Sequence, residues 1–231
     1  MEMTDYSSDL KRYTPCDVAD ACLKLNIAQG YLPFATQRSA KGETMVGRAY
    51  TVLYATEQDS RPALKNHYID SAPTGSVVVL ATPPELQLDS PPYTIFSNAL
   101  YGGLMSTRAK YLGCAGTVVL GNIRDIDEHR KLNYPVFSYG IGIAAPTKRA
   151  KVVSVNSPLT VKPGLADSPV TVHPGDYIIG DENGVTVLPA SHVVDVLRYM
   201  EVRTRADELV AQDIENGILA AEAQANRRKG L

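Results

Sequence analysis

The stretch Ser97–Arg130, SNALYGGLMSTRAKYLGCAGTVVLGNIRDIDEHR, decides how the rest of the chain is read. Gly103 to Leu112 has the character of a helix ended by Gly113, and Thr117 to Leu120 that of a buried strand. Gly121 is expected to break that strand, leaving Arg124-Asp125 at its end. The first backbone N–H groups of a helix have no partner inside it, and glycines let a ligand come close. Gly102-Gly103 at the helix start therefore presents the amides of Gly103, Leu104 and Met105 to a carboxylate, with the helix dipole in favour. Arg124 can clamp a carboxylate bidentately. Asp125 is a hard oxygen ligand suited to Mg²⁺, which commonly takes one or two protein carboxylates and keeps its waters. Asp127 and Glu128 add negative charge nearby. Each piece also has a purely structural reading: Gly-Gly as a tight turn, and the Asp-Glu-His-Arg run as a solvated ion-pair cluster.

Around this segment the pattern is one of many strands and few helices. Thr14 to Leu25 carries Val18, Ala21, Cys22 and Leu25 at helical spacing, with Thr14 as N-cap and Pro15 in the first helical position. Met45 to Tyr54, rich in β-branched and aromatic residues, predicts a strand, and Ser76 to Leu80 predicts one buried on both faces. A short helix is expected over Ala63 to Ala72. Thr82 to Thr94, with four prolines, is a loop long enough to be functional. Tyr134 to Tyr139 and Lys151 to Asn156 predict further strands, and Asn183-Gly184 predicts the turn of a hairpin within Val170 to Leu188. Ser191 to Gly217 is helical, with a break expected near Arg203-Thr204. The fold class is mixed α/β, a sandwich and not a regular βαβ alternation.

Composition removes several function classes. The 231 residues suit one domain over 1–231, with a core at about 13–190 and C-terminal helices at about 191–225. Hydrophobic residues make up 44% and the formal net charge is −2, so no basic footprint for nucleic acid exists. Arg227, Arg228 and Lys229 are expected as a solvated terminus. No apolar run approaches the ~20 residues of a membrane span. Met1 to Arg12 is neither secretory nor transit-like, which makes the cytoplasm the expected location. Cys16, Cys22 and Cys114 form no CxxC pair, and His67, His129, His173 and His192 lie in no zinc-binding spacing. Lys110, Lys131 and Lys148 carry no mark of a Schiff-base lysine, and Ser106 and Thr107 lack a visible base.

The order GGLM, about twenty residues, then RD, and later PGDYIIGDENGVTVLP, resembles the RraA-like family. TPCDVADACLKL and VGRAYTVLYA stand at family-like positions, so the likeness runs from about Tyr13 to Gly217. The family includes class II 4-hydroxy-4-methyl-2-oxoglutarate aldolases, which also decarboxylate oxaloacetate, and regulators of ribonuclease E. The resemblance implies a swivelling β/β/α sandwich with a C-terminal helical extension. It implies a homotrimer or a dimer of trimers, with active sites between subunits. By position, Arg124 would hold the substrate carboxylate, Asp125 would bind Mg²⁺ or Mn²⁺, and the Gly102–Met105 helix start would complete the site for a small 2-oxo acid. Glu201 matches the glutamate that a neighbouring subunit offers to the metal in bacterial aldolases.

One departure stands out. Those aldolases carry an aspartate, which orders a water for proton transfer, where this chain has Gly103. A metal-bound water, Asp127, Glu128, His129 or Tyr101 must then handle the proton. Leu120 and Asn122 are expected to flank the pocket, and Tyr93 and Phe96 of the proline-rich loop to form an apolar wall. The resulting expectation is a metal-dependent carbon–carbon lyase. The alternatives are a decarboxylation or rearrangement in a biosynthetic pathway and non-catalytic regulation of a ribonuclease.

Overall fold

The computed structural model describes residues 4–27, 30–32, 35–39, 42, 44–162 and 169–231. It opens with helices α1 (Ser7–Leu10) and α2 (Pro15–Lys24), followed by short strands β1 (Gly30–Leu32) and β2 (Thr36–Gln37). Strands β3 (Met45–Thr56), β4 (Ser76–Ala81) and β5 (Ala99–Tyr101) lead into helix α3 (Gly103–Tyr111). Then come β6 (Gly116–Ile123), α4 (Ile126–Lys131), β7 (Val136–Ile141), β8 (Ala150–Val155), β9 (Leu159–Val161) and β10 (Val170–Val172). The hairpin of β11 (Tyr177–Asp181) and β12 (Gly184–Leu188) precedes α5 (Val193–Glu215) and α6 (Ala220–Arg227).

One mixed sheet dominates, in the order β1-β12-β11-β3-β4-β6-β7-β2, with β5 added beside β6 and β8 beside β3. Its centre is parallel: β3, β4, β6 and β7 run the same way. Every residue of β4 and β6 is buried, as expected of strands covered on both faces. On one face, α3, α4 and the turn at Tyr68–Ser71 close a core around Tyr50, Leu80, Tyr101 and Ile123. On the other, β9 and β10 close a second core around Val79, Val118, Leu120 and Phe137. A third cluster joins α1, α2 and α5 to β11 and β12 through Leu10, Val18, Tyr177 and Val196. The architecture is the expected mixed α/β arrangement with a C-terminal helical extension. Among the described residues no helix is long and apolar enough to cross a membrane.

Local signals are realised where the bonding is local. Thr14 Oγ1 accepts the Asp17 N–H at 3.2 Å while Asp17 Oδ2 accepts the Thr14 N–H at 2.9 Å, a reciprocal capping box. Four expectations change. Ala63–Ala72 is not a helix: the Leu64 N–H bonds to Val152 O on β8, and only Tyr68–Ser71 winds into a 3-10 turn. Strand β6 runs through Gly121, because a Cβ there would stand 3.0 Å from Leu100 Cδ1, and its absence lets the β5 side pack against β6. Helix α5 is unbroken at Arg203-Thr204: Thr204 Oγ1 bonds back to Met200 O at 2.8 Å and Arg203 pairs with Asp207 at 2.8 Å. The basic terminus is not simply solvated. Arg227 grips Asp213 through two bonds of 2.7 and 2.9 Å, and Arg228 meets Asp207 at 2.6 Å, tying α6 onto α5.

Candidate functional site

The ends of the parallel strands position the site. In open α/β sheets ligands gather at the carboxyl ends of strands, where loops and helix starts converge. Gly102 follows β5, and Arg124 and Asp125 follow β6, so strand pairing brings the two motifs together. The Arg124 N–H bonds to Tyr101 O at 3.1 Å, locking one turn to the other.

Asp125 has φ 62° and ψ 43°, a left-handed conformation outside glycine that costs roughly 1–3 kcal/mol and gathers at functional sites. Its surroundings over-determine it. The Asp125 carbonyl accepts the Glu128 and His129 N–H groups, and His129 Nε2 donates to Arg124 O at 2.7 Å. His129 is fully buried, and burial above all lowers its pKa, so the ring is a neutral Nε2–H tautomer. Its Nδ1 has no partner.

The bend aims the Asp125 side chain at the start of α3. Asp125 Oδ2 accepts the Gly103 N–H at 3.0 Å and stands 3.3 Å from Arg124 Nε. A carboxylate distant in sequence thus caps the helix, since Gly102 supplies no side-chain cap. A Cβ at Gly102 would lie 2.7 Å from Asp125 Oδ2, so the first glycine serves close approach. The amide cradle is narrower than expected. The Gly103 N–H is held by Asp125 and the Met105 N–H by Gly102 O at 3.0 Å, leaving the Leu104 N–H for an outside acceptor.

Gly102, Leu104, Met105, Arg124 and Asp125 line a cleft of about 180 Å³. Its other wall is Tyr54 at the carboxyl end of β3, His67, Tyr68 and Pro146, none of which the sequence marks. The only available signal is that Tyr54 falls near the end of a buried parallel strand. Burial pushes the Tyr54 phenol up to about 12 and raises the Tyr68 phenol well above its ordinary value, so both are neutral at physiological pH. The Tyr68 hydroxyl is buried beside the Tyr54 side chain, its nearest phenol neighbour in electrostatic terms.

Several expected contributors lie elsewhere. Phe96 packs into the core and its carbonyl accepts Asn122 Nδ2 at 2.9 Å, while Tyr93 sits against the Tyr139 ring. Leu120 points into the opposite core, so neither it nor Asn122 lines the cleft. Tyr101 lines the cleft, but its hydroxyl is buried and accepts from Ser106 and Thr117, each at 3.1 Å. Asp127 is 85% exposed and faces Arg130. Glu201 is exposed on α5, which packs on α2 and α6, and within one chain it does not line the cleft.

As a cation site this donor set has a definite character. Among the described residues no group of three or more His, Cys, Asp and Glu side chains could cage a metal. Among the described residues none hydrogen-bonds the second Asp125 oxygen, and the side chain is one-third exposed. That fits a magnesium-like ion holding one carboxylate and several waters or ligand oxygens, and not a caged zinc.

The comparisons with known proteins agree with this architecture. A protein of Halalkalibacterium halodurans, provisionally named 4-hydroxy-4-methyl-2-oxoglutarate aldolase, is 32% identical over 183 residues, covering 79% of this chain and 78% of its own. Legionella pneumophila DlpA is 30% identical over 210 residues, 90% of this chain, which spans only 31% of that longer protein. An uncharacterized protein of Pseudomonas syringae superposes with a TM-score of 0.75 at 27% identity, covering 94% of this chain and 96% of its own. Streptomyces coelicolor RraAS2, described as an unusual member of the RNase ES inhibitor RraA family, superposes at 0.73 with 21% identity over 90% and 97%, and shows the fold alone. The profile of the RraA-like family, described as aldolase/RraA, matches residues 15–187, and the chain belongs to that family.

Proposed function

We propose that the chain is a divalent-metal-dependent carbon–carbon lyase acting on a small 2-oxo acid. In this reading it resembles a 4-hydroxy-4-methyl-2-oxoglutarate aldolase and also decarboxylates oxaloacetate. The observation that carries this is the meeting of Arg124, Asp125 and the α3 start in one small cleft at the ends of parallel strands. At about 180 Å³ the cleft is smaller than the ~300–1,000 Å³ of drug-sized sites, which suits a substrate of a few carbons.

Asp125 would hold the ion, Mg²⁺ or Mn²⁺, which when bound supplies Lewis acidity to a carboxylate and keto oxygen. Arg124, 42% exposed at the cleft, would take the substrate carboxylate, aided by the Leu104 N–H. As the scissile C–C bond breaks, its electron pair moves into a pyruvate enolate. The Arg124 guanidinium would stabilise the charge that develops on that oxygen. Aldol cleavage and loss of CO₂ share the enolate, so one constellation serves both. Assembly as a homotrimer or dimer of trimers would add a neighbour's Glu201 to the metal.

The test is pyruvate release from oxaloacetate and from 4-hydroxy-4-methyl-2-oxoglutarate. Activity is expected to vanish with EDTA, return with Mg²⁺, and fall at least ~10²-fold in Asp125→Ala. Turnover indifferent to EDTA and to Asp125→Ala would refute the proposal.

A further inference from the structure

The two consecutive glycines at the α3 start are each faced by a carboxylate. At Gly102 the space of a side chain is taken by Asp125 Oδ2. At Gly103 it is taken by Glu128: a Cβ there would fall 1.8 Å from Glu128 Oε2, 2.6 Å from Cδ and 2.8 Å from Cβ. The Glu128 carboxylate therefore lies over the first residue of the helix whose N–H holds Asp125. Chaining these separations through the backbone puts the two carboxylates within about 7 Å, a gap that one or two waters span.

We infer that Glu128 is the proton carrier of this site, a role that rests on the lyase reading above. Glu128 stands outside the cleft lining and would act through water, and three other groups near the Arg124-Asp125 turn are engaged elsewhere. His129 is fully buried and spends Nε2 on Arg124 O. Tyr101 is buried with its hydroxyl tied to Ser106 and Thr117. Asp127 faces solvent and Arg130. Glu128 is exposed, anchored by its N–H to Asp125 O at 3.0 Å, and hangs over the helix start. On a 4-hydroxy-2-oxo acid, the C4 hydroxyl proton passes through a water to the Glu128 carboxylate. The C3–C4 bond breaks, C4 becomes the carbonyl of the first product, and the bond pair forms the C2–C3 double bond of the enolate. Glu128 returns the proton through water to C3, giving pyruvate and regenerating the carboxylate. No other reactant is consumed.

Three measurements on the full chain test this. Glu128→Gln should lower kcat ~10²-fold or more with KM within about twofold, whereas Asp127→Asn should match the parent. The exchange Gly103→Asp with Glu128→Ala moves the carboxylate from one backbone position to the other, and should regain at least tenfold over Glu128→Ala alone. Independently of activity, Gly103→Ala should lower Tm in the parent and much less in a Glu128→Ala background. A Glu128→Gln enzyme of unchanged kcat overturns the inference and leaves the lyase reading standing. So does a Gly103→Ala shift equal in both backgrounds, because Glu128 then does not occupy that space in solution. A parent protein inactive on every metal-supplemented 2-oxo acid refutes the lyase reading, and the inference with it.

Discussion

Replacing Gly102 with alanine adds one methyl group where the backbone tolerates it and the surroundings do not. At φ −145° and ψ 179° Gly102 is extended, a conformation open to any residue. The new Cβ would stand 2.7 Å from Asp125 Oδ2 and 3.3 Å from Arg124 Nε. The carboxylate must yield, which loosens its 3.0 Å bond from the Gly103 N–H. A hydrogen bond to a charged group contributes about 1.5–3 kcal/mol when well shielded. The Asp125 side chain is 33% exposed, so water replaces part of that and a net loss of roughly 1 kcal/mol is expected. For a chain of 231 residues this lowers Tm by about 2–4 °C. Catalysis should suffer far more, because misplacing a catalytic group by about 1 Å can cost ~10²-fold in rate. Thermal unfolding followed by circular dichroism reads the first effect. Pyruvate release coupled to NADH oxidation, as kcat/KM, reads the second. Full activity in Gly102→Ala would refute the reasoning. A Tm drop beyond about 10 °C would also refute it, since the methyl would then be accommodated by displacing α3 and not the carboxylate.

Two further outcomes follow from groups buried behind the cleft. Tyr101→Phe removes the acceptor for Ser106, which is fully buried, while Thr117 keeps Tyr134 at 3.1 Å. A loss of about 1–3 kcal/mol is expected, or ~2–10 °C in Tm, with kcat of the folded enzyme nearly unchanged; a fall in kcat at constant Tm would instead put the phenol in the chemistry. His129 is buried neutral, with its pKa held below the ordinary 6.5 chiefly by burial. Below about 6.5 the unfolded chain takes up a proton that the folded one refuses, so this contribution is complete above that pH and is lost as pH falls. Tm should decline from pH 7 toward 5, and His129→Gln should flatten that decline; an identical slope in the variant would show that other groups cause it.

What was legible in the sequence is what short-range physics controls. The capping box of α2 needs only Thr14, Pro15 and Asp17, residues that can find one another within one turn. Strands β4 and β6 announce themselves because an unbroken β-branched run is stable only between two apolar layers. The β11–β12 hairpin falls where Asn183-Gly184 foretells it, but its loop is Glu182-Asn183, and Gly184 at φ 140° already pairs with Asp181. Composition failed where a residue's role depended on a distant partner. Arg227 and Arg228 look like a solvated tail, yet they meet aspartates 14 and 21 residues away. Gly121 looks like a breaker, yet it makes room for Leu100 on a neighbouring strand.

The site divides along the same line. The sequence by itself determined the family, two strands buried on both faces, and the pairing of a Gly-Gly helix start with an Arg-Asp strand end; that these strands run parallel is a tertiary fact. Tertiary structure alone decided that Asp125 turns left-handed and caps α3, and that Tyr54, His67, Tyr68 and Pro146 form the facing wall. It also decided which acidic neighbour lies over Gly103. Asp127 and Glu128 are adjacent in the chain and alike in charge, but the helical twist of α4 sends one to solvent and the other onto the glycine. Side-chain direction is set by the rotation of an element against its neighbours, a long-range packing outcome that residue type and spacing do not encode.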